Sequence, residues 1–338
     1  MSSSSQASSM SKLYLKRLNN VLCNCLVAFL LALSVNAQQA DDQESGGSPL
    51  KNPNQIAILK WYGANTAPTT FPVADQPYGV CFDGANIWVA SGTGILTKVR
   101  ANDGAILGKF NIGGFVYGVA FDGANVWVTT SDSVVKVRAT DGKVLGTFAL
   151  SGLAGWPVFD GANVWVPISG QQGVGTVVKL RASTGKVLGT FPVGSGPIQA
   201  AFDGIHVWIA NNGASTVTEL NASNGSLVGT FTVGANPLGI CFDGANIWTA
   251  NRGEGTITKL RASDGTVLGT FNAPGGPYGI AFDGNNIWVA GSPYIQKFRA
   301  SDGTTLGEWF PLGASTGVAF DGANVWVSIL NSKVVAKL

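Results

Sequence analysis

The chain repeats one short pattern seven times: Phe-Asp-Gly, with Trp six residues after each Phe. The copies stand 38 to 43 residues apart, and their first residues are Phe82, Phe121, Phe159, Phe202, Phe242, Phe282 and Phe320. A repeat of this length and regularity indicates that one structural unit is used seven times. No other feature of the sequence restricts the possible folds as strongly.

Each copy contains four short runs of β-branched and aromatic residues. Asp-Gly, Asn and Gly turn residues separate these runs, and no stretch shows the period of a helix. Four strands in about 40 residues are typical of one blade of a β-propeller. The sequence therefore predicts an all-β fold, a seven-bladed β-propeller of four-stranded blades over residues 55–338. We expect the repeated Trp to fill the space between neighbouring blades.

The two ends of the repeat region complement each other. The last copy stops at 333–338, which corresponds to a third strand, and its fourth strand is missing. Thr70–Val73, before the first copy, matches the fourth-strand sequence Thr190–Val193. We therefore expect an N-terminal strand to complete the last blade, which would leave no open sheet edge at the closure of the ring.

The first residues of the chain have the three parts of a secretory signal peptide. A basic stretch over residues 12–17 precedes an apolar run over 21–35, and Val35-Asn36-Ala37 supplies a small-residue cleavage site. A membrane anchor is the alternative, but the run is shorter than the roughly 20 residues that a spanning helix needs. We predict a signal peptide over 1–37, a flexible linker over 38–54, and a secreted or periplasmic protein without a membrane span after cleavage.

Composition excludes several classes of protein. With 45% hydrophobic and 12% charged residues, the chain is not disordered. The predicted signal peptide holds three of the 21 basic residues and none of the 19 acidic ones, so the mature chain is near neutral and a nucleic-acid partner is not expected.

Cys81 and Cys241 stand where other copies have Ala or Val, which favours small apolar packing; a disulfide between them is the alternative.

The chemistry-bearing motifs are few. The sequence has one His, His206, and shows no metal-ligand spacing, phosphate loop or heme motif, so no metal site and no cofactor are predicted. His206 replaces the Asn of the Asp-Gly-Ala-Asn turn, and we interpret it as a turn residue, with a general base as the alternative. The repeated Asp precedes a turn Gly and lacks the spacing of a calcium loop, which favours turn stabilisation. A repeated Arg before the other turn is expected to bridge neighbouring blades or turn backbones.

Residues 70–338 resemble the secreted bacterial seven-bladed propellers of the YVTN and NHL-like type, in the superfamily of streptogramin B (virginiamycin B) lyase. The resemblance rests on the blade signature, as in Pro277–Trp288. It implies the propeller fold. Lyases of that superfamily use a histidine pair with a glutamate at the channel mouth, and the single His206 cannot supply such a pair. The resemblance therefore implies the fold without the catalytic set.

Comparison of the seven copies predicts where a ligand would bind. The turns between strands one and two and between strands three and four share one face and hardly vary, whereas the remaining loops share the opposite face and differ between copies. We expect a ligand at the mouth of the central channel on this variable face. The candidates near the start of the first strands are Tyr78, Tyr117, Trp156, Gln199 and Tyr278. Trp156 and Gln199 could stack a sugar or a similar amphipathic ligand; alternatively, Trp156 plugs the channel.

The variable loops add five candidates, Gln171, Asn211, Asn251, Arg252 and Glu254. Arg252 and Glu254 could clamp a polar ligand, or they could be a solvated surface pair of small energetic effect. The leading hypothesis is a monomeric binding or interaction module for a small molecule, a glycan or a protein. The alternatives are a lyase or hydrolase with a non-histidine active site and a structural protein of the cell envelope.

Overall fold

The computed structural model describes residues 68–170, 173, 175–310 and 313–338. The predicted signal peptide, the predicted linker, residues 55–67 of the predicted propeller and Gln171 lie outside the described residues. The described residues belong to one compact unit, Thr66–Leu338. Among them, no helix is long and apolar enough to cross a membrane.

Seven antiparallel sheets form the seven predicted blades, and in blades one to six hydrogen bonds join the strands in chain order. Blade one contains β2 (Pro77–Phe82), β3 (Asn86–Ser91), β4 (Ile95–Arg100) and β5 (Ile106–Asn111), and blade two contains β6 (Val119–Phe121), β7 (Asn125–Thr129), β8 (Ser133–Arg138) and β9 (Val144–Ala149). Blade four contains β15 (Pro197–Phe202), β16 (His206–Asn211), β17 (Thr216–Asn221) and β18 (Leu227–Thr232). Blade five contains β19 (Pro237–Phe242), β20 (Asn246–Asn251), β21 (Thr256–Arg261) and β22 (Val267–Asn272), and blade six contains β23 (Ile280–Phe282), β24 (Asn286–Ala290), β25 (Ile295–Arg299) and β26 (Thr305–Trp309).

Blade three differs in its innermost strand, which is interrupted. Two short strands, β10 (Leu153–Ala154) and β11 (Val158–Phe159), both pair with β12 (Asn163–Ser169). The outer strands of the blade are β13 (Gly175–Arg181) and β14 (Val187–Val193). The interruption coincides with Trp156 and Pro157, and Pro cannot donate a ladder hydrogen bond.

Blade seven combines the two ends of the described chain, which confirms the predicted closure. It contains β27 (Ser315–Phe320), β28 (Val325–Ile329), a short 3-10 helix (Leu330–Ser332), β29 (Val334–Lys337) and, as its fourth strand, β1 (Thr69–Pro72). Phe71 pairs with Val335 in this antiparallel register. The N-terminal strand therefore covers the outer edge of β29.

The repeated Trp packs between blades, as predicted. Trp127 of blade two, for example, lies in one cluster with Val164 and Leu180 of blade three. Six of the seven are fully buried and Trp288 is 6% exposed. Large flat apolar side chains thus fill the seven interfaces between twisted sheets.

The repeated Asp stabilises its turn and also holds the Trp. In blade two, Asp122 Oδ1 accepts hydrogen bonds from the backbone N–H groups of Ala124 and Asn125. Its Oδ2 accepts the indole N–H of Trp127 at 2.8 Å, and the same bond measures 2.7 to 2.8 Å in all seven blades. The predicted turn role is confirmed, and the bond to Trp was not predicted.

The side chain that bridges neighbouring blades is Lys, which corrects the expectation for Arg. Four of the repeated Arg residues pair with the Asp of their own turn at 2.8 to 3.0 Å. By contrast, a Lys on the third strand pairs with the repeated Trp of the second strand. In six blades its Nζ lies 4.8 to 5.4 Å from the centre of the indole. In five of those blades its Nζ donates a hydrogen bond of 2.6 to 2.8 Å to an Ala carbonyl of the next blade. These four Arg side chains are partly exposed and bond within their own turn.

The two described cysteines are free thiols. Each packs against the core cluster of its blade, and burial raises the pKa of both thiols well above its usual range. They therefore stay protonated at neutral pH and behave as small apolar side chains.

Candidate ligand-binding site

The first strands of the blades contact one another around the central channel. Each runs from the variable face towards the Asp turn, so its first residues lie at the mouth of the channel. This arrangement brings Tyr78, Tyr117 and Tyr278 together, as the sequence predicted. All three are half-buried.

Aromatic contacts connect these side chains. The ring centres of Tyr78 and Tyr117 are 5.9 Å apart, and those of Tyr278 and Trp156 are 5.7 Å apart. Phe115 lies against both Tyr117, at 4.4 Å, and Tyr78, at 5.3 Å. Phe115 was not among the sequence candidates because it stands in a blade-to-blade loop with no equivalent in other copies. We call this group, with Arg252 and Leu238 described below, the mouth surface.

The hydroxyls of Tyr78 and Tyr278 remain neutral at physiological pH. Burial raises the pKa of Tyr278, and the neighbouring Tyr78 and Tyr117 add to the rise, whereas Arg252 opposes it. Burial, together with Tyr117, also raises the pKa of Tyr78. Each phenol can therefore donate and accept a hydrogen bond with a ligand.

Trp156 forms the floor of the mouth and closes the channel beneath it. It is only 9% exposed, and its backbone N–H donates to the Ile198 carbonyl at 2.7 Å. Its indole lies against Gly118, whose missing side chain leaves the necessary space. Trp156 lines both a mouth cavity of about 80 Å³ and an inner cavity of about 50 Å³. Most of the Trp156 side chain therefore fills space inside the channel, as the plug alternative expects. A ligand at the mouth would contact only the part of the indole that lines the mouth cavity.

Gln199 lies in blade four, next to Trp156 of blade three. The two residues form a parallel bridge, and Gln199 lines the inner cavity. Its Oε1 is buried and has no hydrogen-bond partner among the described residues. A cavity of this size has room for water, so Gln199 belongs to the inner channel and the mouth surface does not include it.

Arg252 extends the mouth surface towards blade five. Its guanidinium lies 5.8 Å from the ring centre of Tyr278, an arrangement in which the cation interacts with the aromatic face. Arg252 and Leu238 also line an open depression of about 380 Å³, together with Asn212 and Asn236. Leu238 lines the mouth cavity as well, so the depression and the cavity adjoin.

Glu254 is exposed on the same loop as Arg252. In the described part of the chain, however, the two form no ion pair, because Arg252 turns to Tyr278. The predicted clamp of these two residues on a polar ligand stays a prediction. Arg252 belongs to the mouth surface and Glu254 does not line it.

Asn211 and Asn251 are fully buried, so the structure separates them from the mouth. The Asn251 amide donates to Thr256 and Thr258 at 3.1 and 2.8 Å, and the Asn211 amide makes the equivalent bonds in blade four. Both residues hold the loop between the second and third strands of their blade. The paired Thr residues that follow each Asn are the sequence signal that could have indicated this role.

His206 lies on the face opposite the mouth, as the sequence predicted. Its Nδ1 is 3.1 Å from Glu219 Oε1 and 3.4 Å from Asp203 Oδ2. The potential ligand atoms of these three side chains all lie within 4.8 Å of one another. Sequence reasoning missed this cluster because it depends on the cross-strand register that places Glu219 beside Trp208.

No protein-family model matches this chain, and a comparison with curated proteins finds no match either.

Proposed function

We propose that this protein is a secreted or periplasmic binding module that holds a glycan on its mouth surface. The observation that carries the proposal is the convergence of three tyrosines from three blades: Tyr117 and Tyr278 line one cavity with Trp156, and Tyr78 lies against Tyr117. The equivalent positions in other blades carry Gly155, Ile198, Leu238 and Thr316. The tyrosines are thus found in only three of the seven copies. Because the other blades form without an aromatic side chain at this position, the stability of a blade does not require one.

The chemistry of the mouth surface fits a sugar. A sugar ring has an apolar C–H face and a polar hydroxyl rim, and aromatic side chains with a polar tip complement both. Tyr hydroxyls donate and accept hydrogen bonds, and the Arg252 guanidinium donates several. These groups therefore offer flat apolar contact at the centre and hydrogen bonds at the edge.

The sizes of the two adjoining spaces indicate how a glycan would lie. The mouth cavity, about 80 Å³, is too small for a whole ligand, since typical sites measure roughly 300–1,000 Å³. The depression beside Arg252, about 380 Å³, falls within that range. We expect an oligosaccharide to rest across the depression, with one end entering the mouth beside Tyr278.

The experiment is a titration of the purified protein with oligosaccharides of the cell envelope, followed by isothermal calorimetry and by chromatography of the sugar. We expect binding without chemical change of the sugar. Tyr117→Ala and Tyr278→Ala should each weaken it by roughly 10-fold or more, as for anchor residues of an interface. Phe310→Ala is the matched control, because Phe310 is a 70% exposed aromatic residue of the variable face that lines neither space.

Three results would overturn the proposal. Equal binding by Tyr117→Ala, Tyr278→Ala and the native protein would place the glycan elsewhere. Cleavage of the sugar, lost in Glu254→Gln, would instead support the enzyme hypothesis. Capture of a protein ligand that depends on Phe310, with no glycan bound, would indicate a protein-interaction surface.

A further inference from the structure

Blade four differs from the other blades on the face opposite the mouth. At the position of the bridging Lys it has Glu219, and at the position of the turn Asn it has His206. The register is unchanged, since Glu219 pairs with Trp208 as Lys136 pairs with Trp127. The two substitutions therefore place new side chains at sites whose surroundings are known from six other copies.

The exchange of Lys for Glu reverses the charge at a buried point. Glu219 is 3% exposed, and its carboxylate lies beside Asp203, whereas in blade six the equivalent Asp283 lies 4.0 Å from the ammonium of Lys297. In the described part of the chain, no hydrogen bond reaches the Glu219 carboxylate; its close polar neighbour is His206 Nδ1. Two adjacent buried carboxylates are costly without a compensating cation.

The geometry points to a metal site: we propose that Asp203, His206 and Glu219 bind one divalent transition-metal ion, with zinc as the best match. Zinc binds imidazole nitrogen and carboxylate oxygen at about 2.0–2.2 Å, which in tetrahedral geometry separates ligand atoms by roughly 3.3–3.5 Å. The Nδ1 to Oδ2 and Nδ1 to Oε1 distances, 3.4 and 3.1 Å, are close to that separation. Calcium and magnesium prefer all-oxygen sites and are less suited to the imidazole.

The surroundings supply the remaining requirements of such a site. Asp203 Oδ2 also accepts the Trp208 indole N–H at 2.7 Å, which fixes the orientation of the carboxylate. The His206 side chain is 24% exposed, so an ion can reach the cluster from solvent. Three protein ligands leave the fourth position of a tetrahedral zinc ion to a water molecule.

The ion would replace a repeated interaction of the fold. In five blades a Lys ammonium lies over Trp and bonds a carbonyl of the next blade. Glu219 cannot donate such a bond to blade five. A divalent cation held by Asp203, His206 and Glu219 restores a positive charge beside Trp208.

The test uses purified protein without a polyhistidine tag, first treated with a chelator and then titrated with zinc chloride. We expect one zinc per chain by calorimetry and a rise in the melting temperature that increases with zinc concentration. Glu219→Lys and His206→Asn restore the residues of the other blades, so both variants should fold. Each should weaken zinc binding by roughly 100-fold or more, because each removes a ligand.

Asp264→Asn is the control, since Asp264 is an exposed carboxylate of blade five on the same face. It should leave zinc binding unchanged. The proposal is overturned if the chelator-treated native protein neither binds zinc nor gains thermal stability, which would make the cluster an ion pair between His206 and two carboxylates. It is also overturned if Glu219→Lys and His206→Asn bind zinc as the native protein does.

Discussion

The Lys136 ammonium of blade two donates a 2.6 Å hydrogen bond to the Ala182 carbonyl of blade three. The same side chain lies 5.4 Å from the ring centre of Trp127. One buried cation thus contacts both the apolar interface between two blades and the backbone of the following turn. The bond recurs in four other blades, so it is a general connection between neighbouring sheets.

Lys136→Met should destabilise the protein by roughly 1.5–3 kcal/mol, the usual contribution of a hydrogen bond from a charged group. Met keeps the apolar stem of the side chain, so packing changes little. Thermal unfolding followed by circular dichroism measures the effect. Lys297→Met is the control: Lys297 lies over Trp288 but, among the described residues, has no carbonyl partner in blade seven. Equal losses in the two variants would contradict the role of the inter-blade bond.

Trp127 provides two separable contributions, burial and the hydrogen bond to Asp122. Trp127→Phe should cost about 1–3 kcal/mol, because Asp122 Oδ2 loses its 2.8 Å indole donor and keeps only the 3.2 Å bond from the Asn125 amide, while the ring still packs. Trp127→Ala should cost about 3–5 kcal/mol, because a cavity is added. Urea denaturation of both variants gives the two values. A Trp127→Phe variant as stable as the native protein would show that the indole bond contributes nothing.

Acid should destabilise the blades through the repeated Asp. Burial opposes ionisation of Asp160, but hydrogen bonds from Trp165 and the turn backbone outweigh it, so the pKa of Asp160 is lower than usual. The pKa values of Asp83, Asp283 and Asp321 are lowered for the same reasons. Because these pKa values are lower in the folded state, stability is complete above the unfolded value of about 3.9 and falls as pH decreases below it. Melting temperatures between neutral pH and pH 3 measure the decrease.

The Asp160→Asn variant separates this effect from general acid unfolding. It should be less stable than the native protein at neutral pH and should lose less stability on acidification, because one titrating group is removed. An identical pH dependence in both proteins would exclude Asp160 as a contributor.

Gly142 is required by both conformation and packing. Its φ is 75°, and the ring of Phe110 from the preceding blade occupies the space where a Cβ would stand. Gly123 also has a positive φ, 95°, but nothing lies within 4 Å of its missing Cβ. Gly123→Ala should therefore cost about 1–2 kcal/mol of backbone strain, and Gly142→Ala should cost clearly more. Thermal melts of the pair test this, and equal losses would remove the packing argument.

The sequence predicted the blades well because each blade repeats its signals within 40 residues. The Phe-Asp-Gly turn, the Trp and the fourth-strand match of Thr70–Val73 are local patterns that need no knowledge of neighbouring blades. The bridging Lys was not predicted, since its role depends on which residue faces Trp across the sheet and which carbonyl the next blade presents. Asn211 and Asn251 looked like variable polar loop residues, although their amides bond within the blade.

The mouth surface was predicted in part for the same reason. Tyr78, Tyr117 and Tyr278 share one register, so comparison of the copies identified them. Phe115 and Leu238 were missed as site residues. Phe115 stands in a loop without an equivalent in other copies, and Leu238 has no polar group. Only the closed ring shows that both lie beside the tyrosines. Likewise, His206 was located on the correct face, but its neighbours Asp203 and Glu219 emerge only from the pairing of β16 with β17.

The pairing of Phe71 with Val335 joins two strands that the six other blades separate along the chain. Blades one to six can form in order as the chain emerges from the ribosome, but β1 has no partner until β29 is made. Blade seven must therefore assemble after the six others have been synthesised. During that interval the interface surfaces of blades one and six remain uncovered, so nascent chains that stall before Val334 would expose Trp288 and the edge of β1 to other proteins.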